Sequence, residues 1–173
     1  LEEAPKGFSR LAAFYAERAR GGVGLIVTGG IAPNQDGVVM PGAAALENET
    51  QAEKHRQITD AVHQAGGKIA MQILHTGRYA YHRGAVAPSA VQAPISPICP
   101  RELSEEDIER TLDDYARCAG LAQLAGYDGV EVMGSEGYLI NQFIAQQTNF
   151  REDGWGGSFD NRIRFALETV RRV

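Results

Sequence analysis

Gln72, His75, Arg78, Glu136 and Tyr138 are polar residues set in or just after apolar runs that end near glycine. Those are positions where a β/α fold exposes side chains to a ligand. A carboxamide inside an apolar strand must find hydrogen-bond partners. Gln72 either pairs with a uracil-like ring edge, which offers donors and acceptors together, or is a satisfied core amide. His75 with Arg78 is either an anion site or a structural pair; no second residue at ligand spacing supports a metal there. A tyrosine has an unperturbed pKa of about 10, so at neutral pH it keeps its proton and can release it in a transition state. Tyr138, two residues after Glu136, is thus either a proton donor or a packing residue. Gly29-Gly30 either lets the backbone lie against a flat ring or makes a tight turn. Neither glycine belongs to a G-x-G-x-x-G or phosphate-loop pattern, so a nucleotide phosphate is not indicated there.

The elements that must position these residues alternate. Residues 10–20 read as a helix with Leu11, Phe14, Tyr15 and Arg18 on one face and Gly21-Gly22 as its stop. Residues 23–27 form a buried strand ending at Thr28-Gly29-Gly30. A second helix spans 50–64, closed by Gly66-Gly67, and a second strand spans 68–74. Four prolines between Pro88 and Pro100 exclude a helix from the long connection to Leu103. Ser104-Glu105-Glu106-Asp107 resembles a capping box opening a helix to about residue 125. A third strand covers 130–133, a short helix starts at Tyr138, and a last helix starts near Ser158. Apolar strands separated by amphipathic helices predict a parallel sheet covered by helices. Crossovers of this length fit either a (β/α)8 barrel or a doubly wound sheet; three strands fall short of the eight in a barrel, and an open three-stranded sheet would leave a bare edge.

Composition narrows the class. Of 173 residues, 43% are hydrophobic and 23% charged, an ordinary balance for one globular domain with a core. The net charge of −5 argues against broad nucleic-acid binding, which needs a basic footprint. No apolar run approaches the roughly 18–20 residues of a membrane helix, and Leu1-Glu2-Glu3 does not open a secretory signal. A start at Leu1 instead of Met suggests residues upstream. Cys99 and Cys118 share no ligand-spaced motif; Cys118 reads as a buried thiol, and the pair fits a reducing, cytoplasmic setting.

Thr148-Asn149-Phe150-Arg151-Glu152-Asp153-Gly154-Trp155-Gly156-Gly157-Ser158-Phe159-Asp160-Asn161-Arg162-Ile163-Arg164-Phe165 resembles the old yellow enzyme family of FMN-dependent barrels, whose pattern there is N-x-R-x-D-x-[aromatic]-G-G-S-x-x-N-R-x-R-F. Gln72-Ile73-Leu74-His75-Thr76-Gly77-Arg78 is similar to the family's Q-L-x-H-x-G-R. In the loop from Met133 to Tyr138, many members carry His-x-x-His or His-x-x-Asn; here Ser135 and Tyr138 take those two places. That departure looks like the bacterial NADPH-dependent 2,4-dienoyl-CoA reductase group, and residues 11–20 and 126–131 point the same way.

The resemblance spans essentially the whole chain. It implies an α/β fold, the N-terminal portion of a (β/α)8 barrel, with residues 1–173 as a partial FMN-binding domain lacking the first and later strands. It implies Gly30 and Gln72 as FMN contacts, Tyr138 as the catalytic proton donor, and Gln147, Thr148, Asn149 and Phe150 as lining an acyl-CoA site. Gln147 and Phe150 depart from the residues expected at those two positions. The implied reaction delivers a hydride from reduced FMN to the δ-carbon of a 2,4-dienoyl thioester, with Tyr138 protonating the α-carbon, as a step in β-oxidation of unsaturated fatty acids. The FAD, [4Fe–4S] and NADPH sites of the parent enzyme would lie outside this chain, and the chain alone is expected to lose FMN and activity. The expected partner is a small unsaturated acyl-CoA, with no nucleic acid and no membrane. The alternatives are another enone reductase of the family, a trimethylamine dehydrogenase-like oxidoreductase, or a non-catalytic fragment.

Overall fold

Helix α1, Gly7–Arg20, buries Leu11, Ala12, Tyr15, Ala16 and Ala19 against the rest of the molecule. The stripe therefore lies to one side of the expected face. Phe14 is exposed, and Arg18 lays its guanidinium 3.3 Å from the centre of that ring instead of over the core. The reason is close packing on the next helix and the turn that follows it: alanines admit a tight approach, and a Cβ on Gly67, in that turn, would stand 2.7 Å from Ala19 Cβ. The computed structural model describes residues 6–173, so the acidic start at Leu1, Glu2 and Glu3 lies outside them.

Strand β1, Leu25–Val27, is followed by α2, Glu49–Gln64, whose N-terminus is capped by Asn48 accepting from the Gln51 N–H at 3.0 Å. Strand β2, Lys68–Ile73, follows. The proline-containing connection holds no α-helix, as expected. It does contain β3, Val86–Ala87, and β4, Arg101–Glu102, a parallel pair too short for any periodicity to betray it. Helix α3, Glu105–Leu124, opens on a true capping box: Ser104 accepts from the Asp107 N–H, and Asp107 accepts from the Ser104 N–H. Then come β5, Gly129–Val132, the short α4, Leu139–Ile144, and α5, Phe159–Arg172, capped by Ser158.

The main sheet runs β1-β2-β5, all parallel and in chain order, as winding round a barrel requires. Register sorts its side chains onto two faces. Ile26, Ile69, Met71 and Ile73 are buried beneath the helices with Ile58, Val62, Leu112 and Tyr115. Each such side chain removed from water stabilises the fold by roughly 1.5–3 kcal/mol. On the other face Leu25 and Val27 are exposed, beside Ala70, Gln72 and Glu131. Strand β1 was expected to be buried; only its helix-facing Ile26 is, because among the described residues no helix covers the opposite face of the sheet. Among the described residues no helix is long and apolar enough to cross a membrane.

Candidate functional site

The C-terminal ends of β1, β2 and β5 lie side by side, and β1 departs from regular strand geometry there. The departure is a bulge. The Thr28 N–H bonds Ala70 O at 3.0 Å, and the next ladder bond to Gln72 O would fall to residue 30 in a regular parallel pair. It comes from Ile31 instead, at 2.9 Å, so Gly29-Gly30 swells out of the ladder. The Thr28 hydroxyl repairs the break: it accepts from the Gln72 N–H at 3.0 Å and donates to Gly29 O at 2.8 Å. Gly30 must be glycine here, because a Cβ would stand 2.8 Å from Leu74 and 3.2 Å from Gln72 Oε1.

Gln72 is half-buried, and its amide does have a partner. Nε2 donates to Glu131 Oε2 at 2.7 Å, across the β2–β5 register that pairs the two residues. Oε1 faces Gly30. The pair stands on the sheet face that the helices leave open.

Tyr138 caps α4 and is held from several directions. The loop before it turns through Glu136 at φ 61° and Gly137 at φ 80°. A left-handed glutamate is unusual and marks a constrained loop. The Gly137 N–H bonds Asn141 Oδ1 at 3.0 Å, and the Leu139 N–H bonds His75 O at 3.0 Å. Gln142, 1% exposed, makes three bonds: Nε2 to Gly137 O at 2.7 Å, Nε2 to Thr76 O at 3.2 Å, and Oε1 from the Arg78 N–H at 3.1 Å. It thereby ties the end of β2 to the Tyr138 loop. Gly77 leaves it room, since a Cβ there would meet the Gln142 amide at 2.2 Å. The Tyr138 ring lies edge-on to Tyr79, centroids 5.9 Å apart.

Gly30, Leu74, Thr76 and Tyr138 line one cavity of about 230 Å³, together with Ala32, Gly37, Val38, Val39, Ala43 and Ala44. Sequence reasoning singled out Gly30, Gln72 and Tyr138 and missed Glu131, Asn141 and Gln142, which hold them. His75 is fully buried, and its Nδ1 accepts from the Gly77 N–H at 3.1 Å. Burial and the nearby His82 push its pKa down to about 3, so it is a neutral structural imidazole and not an anion site.

The segment 147–150 divides. Thr148 donates to Gln142 O at 2.7 Å, and Asn149 donates to Phe143 O and Trp155 O, both at 2.8 Å; both residues are buried and committed to the fold. Gln147 and Phe150 are exposed. The long signature that follows is scaffold. Arg151 Nη1 donates to Pro88 O and Leu103 O while Nε grips Asp153. Arg162 donates to Ile144 O and Gly157 O. Phe165 stacks on Phe143 with centroids 4.2 Å apart.

A parallel sheet wound in chain order, with a cavity beside its C-terminal strand ends, is the architecture of part of a β/α barrel. The chain belongs to the NADH:flavin oxidoreductase / NADH oxidase family, which matches residues 1–173. It is 40% identical over 168 residues to a metal reductase of Desulforamulus reducens, covering 95% of this chain and 25% of that protein. It is 35% identical over 162 residues to an NADPH dehydrogenase of Bacillus subtilis, covering 93% of this chain and 48% of that protein. Among solved structures, the old yellow enzyme homologue NCR of Zymomonas mobilis matches with a TM-score of 0.88 and 36% identity over 99% of this chain and 51% of that one. Morphinone reductase in complex with tetrahydroNAD matches at 0.87 with 31% identity, over 94% of this chain and 50% of that one. The chain thus has the fold of part of a (β/α)8 barrel and spans a quarter to about half the length of these relatives.

The residues present fit FMN, the cofactor of the family. Gly30 leaves bare backbone beside the cavity. Gln72, its nitrogen already committed to Glu131, presents a carbonyl oxygen that can accept from a ring N–H.

Proposed function

We propose that residues 1–173 are the partial FMN-binding barrel domain of an ene-reducing flavoenzyme, the NADPH-dependent 2,4-dienoyl-CoA reductase. The observation that carries this reading is Tyr138 standing in the same strand-end cavity as Gly30, in a loop where Ser135 occupies the place of the more usual histidine. Gly30 and Gln72 hold the flavin, and FMN, when bound, supplies the hydride. Tyr138 holds a proton at its phenolic oxygen and gives it to the α-carbon end of the conjugated thioester as charge builds toward the thioester oxygen. Thr148 and Asn149 shape the segment from within, and the exposed Gln147 and Phe150 are the pair that meets the acyl-CoA. The FAD, [4Fe–4S] and NADPH sites of such an enzyme belong to regions outside this chain.

A second reading, a simpler family enzyme acting on enones, is favoured by the NADPH dehydrogenase relative, about half of whose length this chain spans. The two separate on substrate: full-length protein with NADPH should reduce a 2,4-dienoyl-CoA much faster than cyclohexenone. In that protein Tyr138→Phe should lower turnover by about 10²–10⁴-fold while leaving FMN content intact. Unchanged turnover would reject Tyr138 as the donor, and a preference for the simple enone would reject the acyl-CoA reading.

A further inference from the structure

An amide side chain can be turned end for end at almost no steric cost, because its oxygen and nitrogen are nearly the same size. What decides its orientation is the partner at each end. For Gln72 one end is decided by Glu131, whose carboxylate oxygen lies 2.7 Å away. A carboxylate only accepts, so the end of Gln72 that faces it must be the NH₂. The other end, Oε1, is then directed toward the backbone of Gly30, a residue that lines the cavity although Gln72 itself does not. The arrangement is locked from below. Gln72 and Glu131 are direct partners in the β2–β5 register, and the Gln72 N–H is held by Thr28 at 3.0 Å.

From this geometry we infer that Glu131 is a positioning residue that fixes the Gln72 amide with its oxygen toward the cofactor, so that the site selects a ring with an N–H donor at that edge. The inference rests on the proposed reading of Gln72 as a flavin contact. It adds what that reading leaves open: which end of the amide faces the ring, and what enforces it. Glutamine at position 131 would have nearly the same shape but both a donor and an acceptor, and would accept Gln72 in either orientation.

The test is the affinity of the full-length apoenzyme for FMN and for 3-methyl-FMN, which lacks the N3–H donor, read by quenching of flavin fluorescence. The unaltered enzyme should prefer FMN by about tenfold or more, the worth of one hydrogen bond to a fixed acceptor. Glu131→Gln should reduce that preference to near the value of Gln72→Leu, in which the acceptor is gone. Glu131→Gln is the informative variant because it nearly preserves volume; its melting temperature reports whether the fold is kept, and Glu131→Asp, which restores an acceptor-only partner, should recover part of the preference. If Gln72→Leu abolishes the preference but Glu131→Gln leaves it at the original value, Glu131 does not set the orientation, and the flavin contact at Gln72 stands. If Gln72→Leu leaves the preference unchanged, the flavin contact fails and the inference falls with it.

Discussion

Gln142 Nε2 donates a 2.7 Å hydrogen bond to the carbonyl of Gly137, the residue immediately before Tyr138. The same side chain reaches Thr76 O and the Arg78 N–H at the end of β2, so one buried amide links two strand ends. Replacing it with leucine nearly keeps the volume and leaves Gly137 O and the Arg78 N–H without a partner, while Thr76 O keeps the Tyr79 N–H at 3.2 Å. Each such group costs about 1–3 kcal/mol if it stays dry. Gln142→Leu should destabilise the protein by about 3 kcal/mol, measured by urea denaturation. In the full-length enzyme it should also lower turnover, because the loop that orients Tyr138 loosens. Unaltered stability would show that the clamp is dispensable.

Arg151 is the centre of the most recognisable stretch of the sequence, and its partners are all structural. Its side chain is 5% exposed and ties β4 to the loop before α5 through Leu103 O, Pro88 O and Asp153. The guanidinium holds the Asp153 carboxyl below the usual carboxylate range. Arg151→Met should cost about 3–5 kcal/mol, since it strands the carboxylate and two carbonyls. Arg151→Lys should recover only part of that, because an ammonium lacks the planar fork. Turnover per bound flavin should stay unchanged in whatever fraction folds. Lost turnover at normal stability would place Arg151 in the chemistry after all.

These two residues show what could be read in advance. The helices were legible because 14 to 20 residues of apolar spacing accumulate a signal, and Ser104 and Ser158 mark two of their starts, whereas the Asn48 cap of α2 went unread. The strand ends were legible as places, since polar residues interrupt apolar runs there. Partners across strands were not. Gln72 and Glu131 are 59 positions apart, and nothing local states their register. Gln142 on a six-residue helix looks like any exposed amide until α4 is seen packed under the Tyr138 loop. Phe14 misled because a large apolar residue at the right spacing outranks alanine in any periodicity, whereas the tight helix contact needed alanine. At Thr148 and Asn149 the limit is different: a strong signature tells that residues are constrained, not whether a ligand or the fold constrains them.

Two buried imidazoles make stability depend on pH. His55 packs edge-on against Phe8 and shares a 2.9 Å hydrogen bond with the Tyr127 hydroxyl. Burial pushes its pKa down to about 4, and burial with His82 pushes that of His75 down to about 3. The unfolded chain protonates both near pH 6.5, while the folded chain does not until those lower values. The unfolded state therefore binds more protons below pH 6.5, and stability falls as the pH is lowered through that window. Each histidine contributes a slope of up to roughly 1.4 kcal/mol per pH unit. Denaturation at pH 7, 6 and 5 should show the fall, and His55→Gln, which keeps an acceptor for Tyr127, should reduce the slope by about half. An unchanged slope would mean that His55 is protonated in the folded protein.

Gly29 and Gly30 sit side by side in the β1 bulge, yet their surroundings predict opposite outcomes for the same substitution. A Cβ at Gly29 would meet nothing within 4 Å, whereas one at Gly30 would strike Leu74 at 2.8 Å and crowd Gln72 Oε1 at 3.2 Å. Leu74 is on the chain segment that the Ile31 carbonyl pins at 2.9 Å, so it cannot easily retreat. Gly30→Ala should cost about 1–3 kcal/mol as an overpacked site. It should also weaken FMN binding in the full-length enzyme, because the displaced neighbour is Gln72. Gly29→Ala should leave stability within about 0.5 kcal/mol of the original. Its flavin affinity then becomes a clean probe: a methyl that perturbs nothing in the protein can weaken FMN only by occupying the space the cofactor needs. Equal effects of the two substitutions on stability would contradict the bulge geometry, whatever happens to the flavin.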